Sequence, residues 1–449
     1  MTAFSLEPEQ TAWCAELRTL AAERLRPLAE KGEPGAVNRP LVAELGALGL
    51  LSRLFTSGAL DLCLMRESLA YACTEAETAL ALQGLGAHPV HAHGTDAQRA
   101  RWLPRVSDGT AVAAFALSEP GAGSDAAALA LRAAPRTEQA PRAEQAPPTP
   151  QAPPTEHAPP APQAPRAEQA PRTQQPPRPQ ALPTPQTPPD RQFPPAPSSS
   201  LAAEPDSGSR WRLTGEKCWI SNAPEADFYT VFARTTPGAG ARGVTAFLVP
   251  ADRPGLTGTA LNMLSPHPIG TLAFDAVPVG ADDVLGEVDR GFRVAMGTLN
   301  LFRPSVGAFA VGMAQAALDA TLAHTARRDA FGGKLSDLQT VAHQVAEMAL
   351  RTDAARLMVY AAATAYDAGA ADVPKRAAMA KLLATETAQY VVDTAVQLHG
   401  ARALRRGHLL EHLYREVRAP RVYEGASEVQ RGIIAKELYT AATQGEDVP

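Results

Sequence analysis

A glutamate in the stretch PRVYEGASEVQR, residues 420–431, lies where a helix is expected to begin. The helix dipole favours negative charge near the N-terminus of a helix. Glu424 could therefore be a simple helix-terminal charge. It could equally be a side chain that the fold positions for chemistry, and the residue types alone leave both interpretations open.

A glycine-rich stretch, FALSEPGAGSD at residues 115–125, follows a strand-like run. Glycines let a backbone approach a ligand closely and direct its N–H groups at it, and Ser118 and Ser124 add hydroxyl groups. The stretch matches neither the dinucleotide fingerprint GxGxxG nor a P-loop. Its Pro-Gly pair is also typical of a turn, so a plain strand-ending turn is the alternative to a binding role.

A second candidate binding stretch is LTGEKCWISNA at residues 213–223. Side chains two apart on a strand point to the same side. Trp219 and Ser221 could therefore offer a flat ring and a hydroxyl group to a planar ligand. A tryptophan in a strand can also belong to the core, and this stretch alone does not decide between the two.

No metal site is predicted. The four cysteines form no CxxC pair and no metal-type spacing. His88, His91 and His93 lie close together in HPVHAHG, and we predict that they are loop histidines.

Length and composition limit the class of protein. The chain has 449 residues, 45% of them apolar, and a formal net charge of -5, which suits several globular domains and argues against nucleic acid as the main partner. Few, scattered cysteines fit a reducing cytosol. The start MTAFSLEPEQ lacks a secretory pattern, and no apolar run of 18 or more residues was found. We therefore expect a cytoplasmic protein that contacts no membrane.

Residues 134–208 differ from the rest of the chain. They hold more than half of the 41 prolines, and fragments such as TEQAP and AEQAP recur. Such a segment has almost no large apolar residue and cannot bury a core. We predict a disordered or polyproline II insertion, acting either as a solvated loop or as a binding segment for another protein.

The periodicity of apolar residues predicts a mainly α protein with a middle β domain. Spacings of three and four residues indicate helices before residue 110 and from about 284 to 440, with Asp96 as an N-cap. Short alternating runs indicate strands between them. The predicted domains are a helical domain at 1–110, a β domain at 111–277 interrupted by 134–208, a helical bundle at 278–440 and a tail at 441–449.

Taken in order, SEPGAGSD, CWISNA, RRDAFGGKLSDLQ, QLHG and VYEGASEVQR resemble the acyl-CoA dehydrogenase family of flavoproteins. The resemblance covers nearly the whole chain except the proline-rich segment. It implies a helical N-terminal domain, a β-barrel-like middle domain and a C-terminal four-helix bundle. It also implies FAD between the last two domains, partly covered by a neighbouring subunit of a homotetramer or homodimer.

The resemblance further implies roles for single residues, with Glu424 as the catalytic base. The residues implied to contact FAD, some of them on the FAD of a partner subunit, are Leu117, Ser118, Gly123, Ser124, Trp219, Ser221, Arg328, Phe331, Gln339, Gln397, Gly400, Ala426 and Glu428. The residues implied to contact substrate are Ser124, Asn300, Arg303, Tyr423 and Gly425. Ser336 and Gln339 also fit a capping box, and Arg328 could be a solvated surface charge.

The implied reaction is α,β-dehydrogenation of an acyl-CoA. The base removes the α-proton while a hydride leaves the β-carbon for flavin N5, giving a trans-2-enoyl thioester, and an electron-transfer flavoprotein then takes the electrons. An acyl-carrier-protein dehydrogenase, an acyl-CoA oxidase and a non-catalytic binding scaffold remain alternatives. The chain departs from the family's usual residues at several positions: Asn300, Ala401, Leu404, Glu416, Ala426 and Glu428.

Overall fold

The computed structural model describes residues 6–135 and 209–445. The predicted order of helices, then strands, then helices is confirmed. The predicted disorder of the proline-rich segment concerns residues that lie almost wholly outside the described part. The expected start of that segment at residue 134 is too early, because Ala134 and Pro135 belong to a strand.

Seven α-helices precede the sheet in the described part of the chain, and a π-helical segment, Ala21–Leu25, links the first two. The α-helices are α1 (Pro8–Leu20), α2 (Arg26–Ala29), α3 (Arg39–Ala47), α4 (Leu50–Thr56), α5 (Ala59–Ala72), α6 (Thr74–His93) and α7 (Asp96–Ser107). The predicted N-cap of α7 was wrong by one residue. Thr95 caps this helix in a reciprocal capping box with Gln98, because a threonine hydroxyl accepts the orphan N–H three residues on. Asp96 is instead the first helical residue.

The predicted loop histidines were also placed wrongly. His88, His91 and His93 belong to the last two turns of α6, which ends at His93. Pro89 lies within this helix. Within residues 6–135 and 209–445, no group of three or more His, Cys, Asp or Glu side chains could hold a metal ion.

The middle of the described chain forms an eight-stranded sheet. Its strands are β1 (Ala113–Ala116), β2 (Arg132–Pro135), β3 (Ser209–Ser221), β4 (Phe228–Arg234), β5 (Val244–Pro250), β6 (Leu256–Ala260), β7 (Ile269–Gly280) and β8 (Val284–Leu285). They lie in the order β6-β7-β3-β2-β4-β5-β8, and β1 pairs with β4. Strands β2 and β3 are antiparallel neighbours, with Pro135 opposite Trp211. The stretches RWRLTG and KCWIS both belong to β3, whose pairing with β7 has an irregular register.

Long helices return after the sheet. They are α8 (Gly291–Arg327), α9 (Gln339–Asp367), α10 (Val373–His399), α11 (Leu409–Glu416) and α12 (Ser427–Gly445). A small hairpin of β9 (Asp329–Ala330) and β10 (Gly333–Lys334) joins α8 to the chain before α9. The alternative capping role of Ser336 is wrong, because α9 begins at Gln339 with Leu338 in the N-cap position.

Helix α8 is the central element of the helical core. By length and composition it could cross a membrane, but 72% of its apolar window is buried inside the fold. It packs against α5, α9 and α10, mainly through alanines, so the backbones come close. At Gly312 a Cβ would lie 2.4 Å from the carbonyl oxygen of Glu67 on α5. Packing between helices accounts for the apolar composition of α8.

Candidate active site

Glu424 lies in a tight turn just before α12. The turn is in the left-handed region of backbone space, with φ values of 52° at Glu424 and 94° at Gly425. Such a conformation is rare for a residue with a side chain and usually marks a site that the surrounding fold holds in place. Helix α12 begins only at Ser427, and the acidic residue in its first turn is Glu428. Glu424 is therefore not a helix-terminal charge.

Side chains from three helices hold the backbone of this turn. The Arg303 Nε on α8 donates to the carbonyl oxygen of Glu424 at 3.2 Å. The Lys381 Nζ on α10 donates to the carbonyl oxygen of Gly425 at 2.7 Å. The Gln430 Nε2 on α12 donates to both carbonyl oxygens, at 3.1 and 2.9 Å. Four hydrogen bonds thus fix Gly425 and the strained residue before it, Glu424.

The carboxyl group of Glu424 faces inward. The residue as a whole is only half-buried, yet its Oε2 is buried and has no hydrogen-bond partner among the described residues. Burial raises the pKa of this carboxyl, against the opposing charges of Arg66, Lys381 and Arg303. A carboxylate with a raised pKa and a free oxygen is suited to accept a proton near neutral pH.

A buried ion pair lies beside Glu424. Arg66 on α5 and Glu77 on α6 are 3% and 0% exposed, and the Arg66 Nε donates to the Glu77 carboxylate. The Arg66 Nη1 also donates to the Ser305 hydroxyl on α8 at 2.7 Å. Burial lowers the pKa of Arg66, but Glu77, Glu424 and Tyr423 together raise it above its ordinary value, so the guanidinium keeps its charge. The N-terminal helices therefore supply a fixed positive charge near Glu424.

Two further predicted substrate residues lie in the same region. Asn300 Oδ1 accepts a hydrogen bond from Arg303 Nη1 at 3.2 Å, so the asparagine at this position supports the arginine. Burial raises the pKa of Tyr423 well above its ordinary value. Nearby, His267 Nε2 and Glu416 Oε2 are 2.7 Å apart. The acid at position 416, which departs from the expected aspartate, thus has a partner from the chain before β7.

The ends of β1 and β3 bring the other predicted stretches together. The backbone N–H of Cys218 donates to the carbonyl oxygen of Ser118 at 3.0 Å. The Lys217 Nζ donates to the carbonyl oxygen of Leu117 at 2.9 Å and pairs with the Glu119 carboxylate at 2.8 Å. These contacts fix the glycine-rich loop against the strand that carries Trp219.

Trp219 is not a core residue. Its side chain is 48% exposed and its φ is 58°, so the strand turns the indole outward while the next residue, Ile220, is buried. Gly123 and Ser124, which follow Ser118 closely in the sequence, are exposed. A Cβ at Gly123 would meet nothing within 4 Å. An exposed flat ring beside an open glycine loop fits a planar, phosphate-bearing cofactor such as FAD.

A third set of predicted residues lies on the surface. Phe331 is 91% exposed with φ 54°, and Arg328, Gln339, Gln397 and Gly400 are also exposed. The end of α8 and the end of α10 meet here, since the rings of His324 and His399 stack with centroids 4.2 Å apart. An almost fully exposed phenylalanine is costly in water, which suits a surface that another molecule covers.

Sequence reasoning missed four side chains of the Glu424 region: Arg66, Glu77, Lys381 and Gln430. Arg66, Glu77 and Lys381 carry charges within alanine- and leucine-rich helices, in LMRESLA, TEAETALAL and AAMAKLLA. A charge on the buried face of a helix is unusual unless it is paired, and that signal was available. The contacts that they make could not be read from the sequence, because the partners lie on different helices.

Family models match most of the chain. The model described as acyl-CoA dehydrogenase, N-terminal domain, matches residues 7–110. The model for the middle domain of the same family matches residues 189–277, and the model for the C-terminal domain matches residues 289–439.

Individual relatives agree with these models. A probable acyl-CoA dehydrogenase, FadE25 of Mycobacterium tuberculosis, is 38% identical over 51% of this chain, and the match spans only 60% of that relative's length. Cyclohexane-1-carbonyl-CoA dehydrogenase of Geobacter metallireducens is 28% identical over 98% of this chain and 100% of its own. The structure of butyryl-CoA dehydrogenase from Megasphaera elsdenii superimposes with a TM-score of 0.77, at 26% identity over 97% of this chain and 99% of that one.

Proposed function

Because the chain belongs to the acyl-CoA dehydrogenase family, we propose that it is an FAD-dependent oxidoreductase that converts an acyl-CoA thioester to the trans-2-enoyl-CoA. The observation that carries this proposal is the buried, unpartnered Oε2 of Glu424. A family member that served only as a scaffold would have no need to bury a carboxylate oxygen without a partner, since this costs free energy.

In this proposal Glu424 is the base that removes the α-proton of the substrate, and the proton moves to Oε2. The charges of Arg66, Lys381 and Arg303 stabilise the ionised carboxylate before the transfer. The backbone N–H of Glu424 donates to the thioester oxygen, where negative charge develops. Tyr423, Gly425, Asn300 and Ser124 line the path of the acyl group and the CoA arm.

The chemistry that bound FAD would supply is a hydride acceptor for the β-carbon. Leu117, Ser118, Trp219 and Ser221 would hold its ring system. Gly123, Ser124, Ala426 and Glu428 would lie along the rest of the cofactor.

A neighbouring subunit completes the site in this proposal. The exposed surface residues Arg328, Phe331, Gln339, Gln397 and Gly400 would contact the FAD of a partner subunit in a homotetramer or homodimer. We also propose that the domains end at residues 110 and 277 and that the protein is cytoplasmic. An electron-transfer flavoprotein is the proposed acceptor of the electrons.

The test is the flavin spectrum of the purified protein. Anaerobic addition of an acyl-CoA should bleach the oxidised flavin band, and a panel of acyl groups should rank the substrates by rate. The same panel on an acyl carrier protein identifies the carrier, and oxygen uptake during turnover identifies an oxidase. A yellow protein that no acyl thioester bleaches would refute the proposed activity.

The rate of bleaching should rise with pH. Glu424 accepts a proton only when ionised, and burial raises its pKa above the ordinary value of about 4.3. The rate is therefore low below the raised pKa and reaches a plateau above it. Rapid-mixing measurements across the pH range would give the midpoint, and a midpoint at or below the ordinary glutamate value would contradict the assignment.

A further inference from the structure

We propose that Lys381 and Gln430 are positioning residues that hold the strained turn of Glu424 so that its carboxyl group points at the substrate. This inference rests on the proposed function of the site. Neither residue needs to touch substrate or cofactor, because both act through the backbone of residues 424 and 425.

The turn requires outside support. Glu424 has a positive φ of 52°, which an L-residue adopts only when its surroundings impose it. Its direct neighbour Gly425 has a φ of 94°. Because both residues have a positive φ, the backbone at Glu424 does not follow the helical path that begins at α12. Relaxation of the turn would rotate the carboxyl group out of position.

Two fully buried polar side chains form hydrogen bonds to the backbone of this turn. Lys381 and Gln430 are both 0% exposed. A buried ammonium group ordinarily pairs with a carboxylate, yet the Lys381 Nζ donates to the carbonyl oxygen of Gly425 at 2.7 Å. Burial also lowers the pKa of Lys381 to about 8, although the charge of Glu424 opposes this shift.

Gln430 is bound equally tightly to the turn. Its Nε2 donates to the carbonyl oxygens of both Glu424 and Gly425, while its Oε1 is buried without a partner among the described residues. A Cβ added to Gly425 would lie 2.4 Å from this Nε2. A side chain at position 425 would displace this amide and would also have to adopt the positive φ, so both favour glycine after Glu424.

Lys381 is charged and Gln430 is not, so their variants separate support of the turn from the effect of a positive charge on Glu424. Lys381 both holds the turn and places a positive charge near Glu424. The charged groups that act on Glu424 are Arg66 from α5, Arg303 from α8 and Lys381 from α10. Those that act on Lys381 also include Glu386 and Glu428. Gln430 holds the turn without charge.

The experiment compares Lys381→Met and Gln430→Met with Lys375→Met in the FAD-loaded protein. Lys375 is on the same helix, and its Nζ pairs with Asp372 at 3.0 Å near the start of α10. A misplacement of about 1 Å costs on the order of 100-fold in rate, so both test variants should lose about 10- to 100-fold in bleaching rate. The control should bleach at the wild-type rate.

A second readout does not depend on turnover. The infrared band of the protonated Glu424 carboxyl, identified by its loss in Glu424→Gln, is titrated with pH in each variant. Lys381→Met should move the midpoint to higher pH, because a positive charge that lowers the pKa of Glu424 is gone. Gln430→Met removes no charge, so its midpoint should move less than that of Lys381→Met while the rate still falls. If Lys381→Met does not fold, Lys381→Gln is measured in its place.

The outcomes separate the two proposals. If the wild type bleaches but the Lys381 and Gln430 variants bleach as fast as Lys375→Met, the positioning role is wrong. A Lys381 variant with an unmoved infrared midpoint also overturns it, because a lysine that faces Glu424 must affect its titration. If the wild type itself does not bleach with any acyl thioester, the proposed function fails, and the infrared midpoints still decide whether Lys381 faces Glu424.

Discussion

Glu424→Gln should abolish substrate-dependent flavin reduction while the protein keeps its fold and its FAD. The amide has the same shape as the carboxyl group but cannot accept the α-proton. General base catalysis contributes about 100- to 10,000-fold to rate. The loss should lie at the upper end, because the only other described carboxyl group with a buried oxygen that lacks a partner, Glu416, is paired with His267 through its second oxygen. The measurement is the single-turnover bleaching rate at saturating acyl-CoA.

Glu437→Gln is a matched control, since Glu437 is also on α12 but lies in the second half of that helix, away from the turn. It should bleach at the wild-type rate. FAD content, read from the visible spectrum, must be equal in all three proteins. Undiminished reduction by Glu424→Gln would show that another group takes the α-proton.

Arg66→Met should cause the largest loss of stability. Arg66 and Glu77 form an ion pair that is almost completely buried. Removal of one partner leaves an uncompensated buried charge, which typically costs about 3–5 kcal/mol. The Ser305 hydroxyl also loses its hydrogen bond from Arg66. The change should appear as a lower urea midpoint of the FAD-loaded protein.

The double variant Arg66→Met/Glu77→Met should recover most of this loss, because two apolar side chains can replace a buried pair at little cost. Arg24→Met is the control on an exposed pair. Arg24 and Glu44 are 2.5 Å apart, with side chains 51% and 23% exposed, and such pairs contribute about 0–1 kcal/mol. A double variant as unstable as Arg66→Met would mean that the charge of Glu77 is not the cause.

Much of the fold was predictable because periodicity reports which face of an element is buried. The long helical patterns became α8, α9 and α10, and the alternating runs became strands of one sheet. The errors lie at element ends. Thr95 rather than Asp96 caps α7, and His88 to His93 continue a helix through Pro89. These ends depend on single hydrogen bonds and on neighbouring elements, which a local pattern does not contain.

The candidate site was predictable only in part, for a related reason. A motif such as YEG identifies Glu424 through its neighbours along the chain. Arg66, Lys381 and Gln430 act on the same turn from three separate helices. A donor to a backbone carbonyl can lie at any sequence distance, and the carbonyl exists at every residue. Sequence spacing therefore carries no trace of these contacts.

The pairing of β2 with β3 has a consequence for how this chain can change over evolutionary time. Pro135 faces Trp211 and Arg132 faces Thr214 in one antiparallel ladder, so whatever joins them is topologically a hairpin connection. The entropy cost of closing such a connection grows only logarithmically, by about 0.6 kcal/mol for each doubling of length. Repeats can accordingly be gained or lost between these strands without a new sheet register.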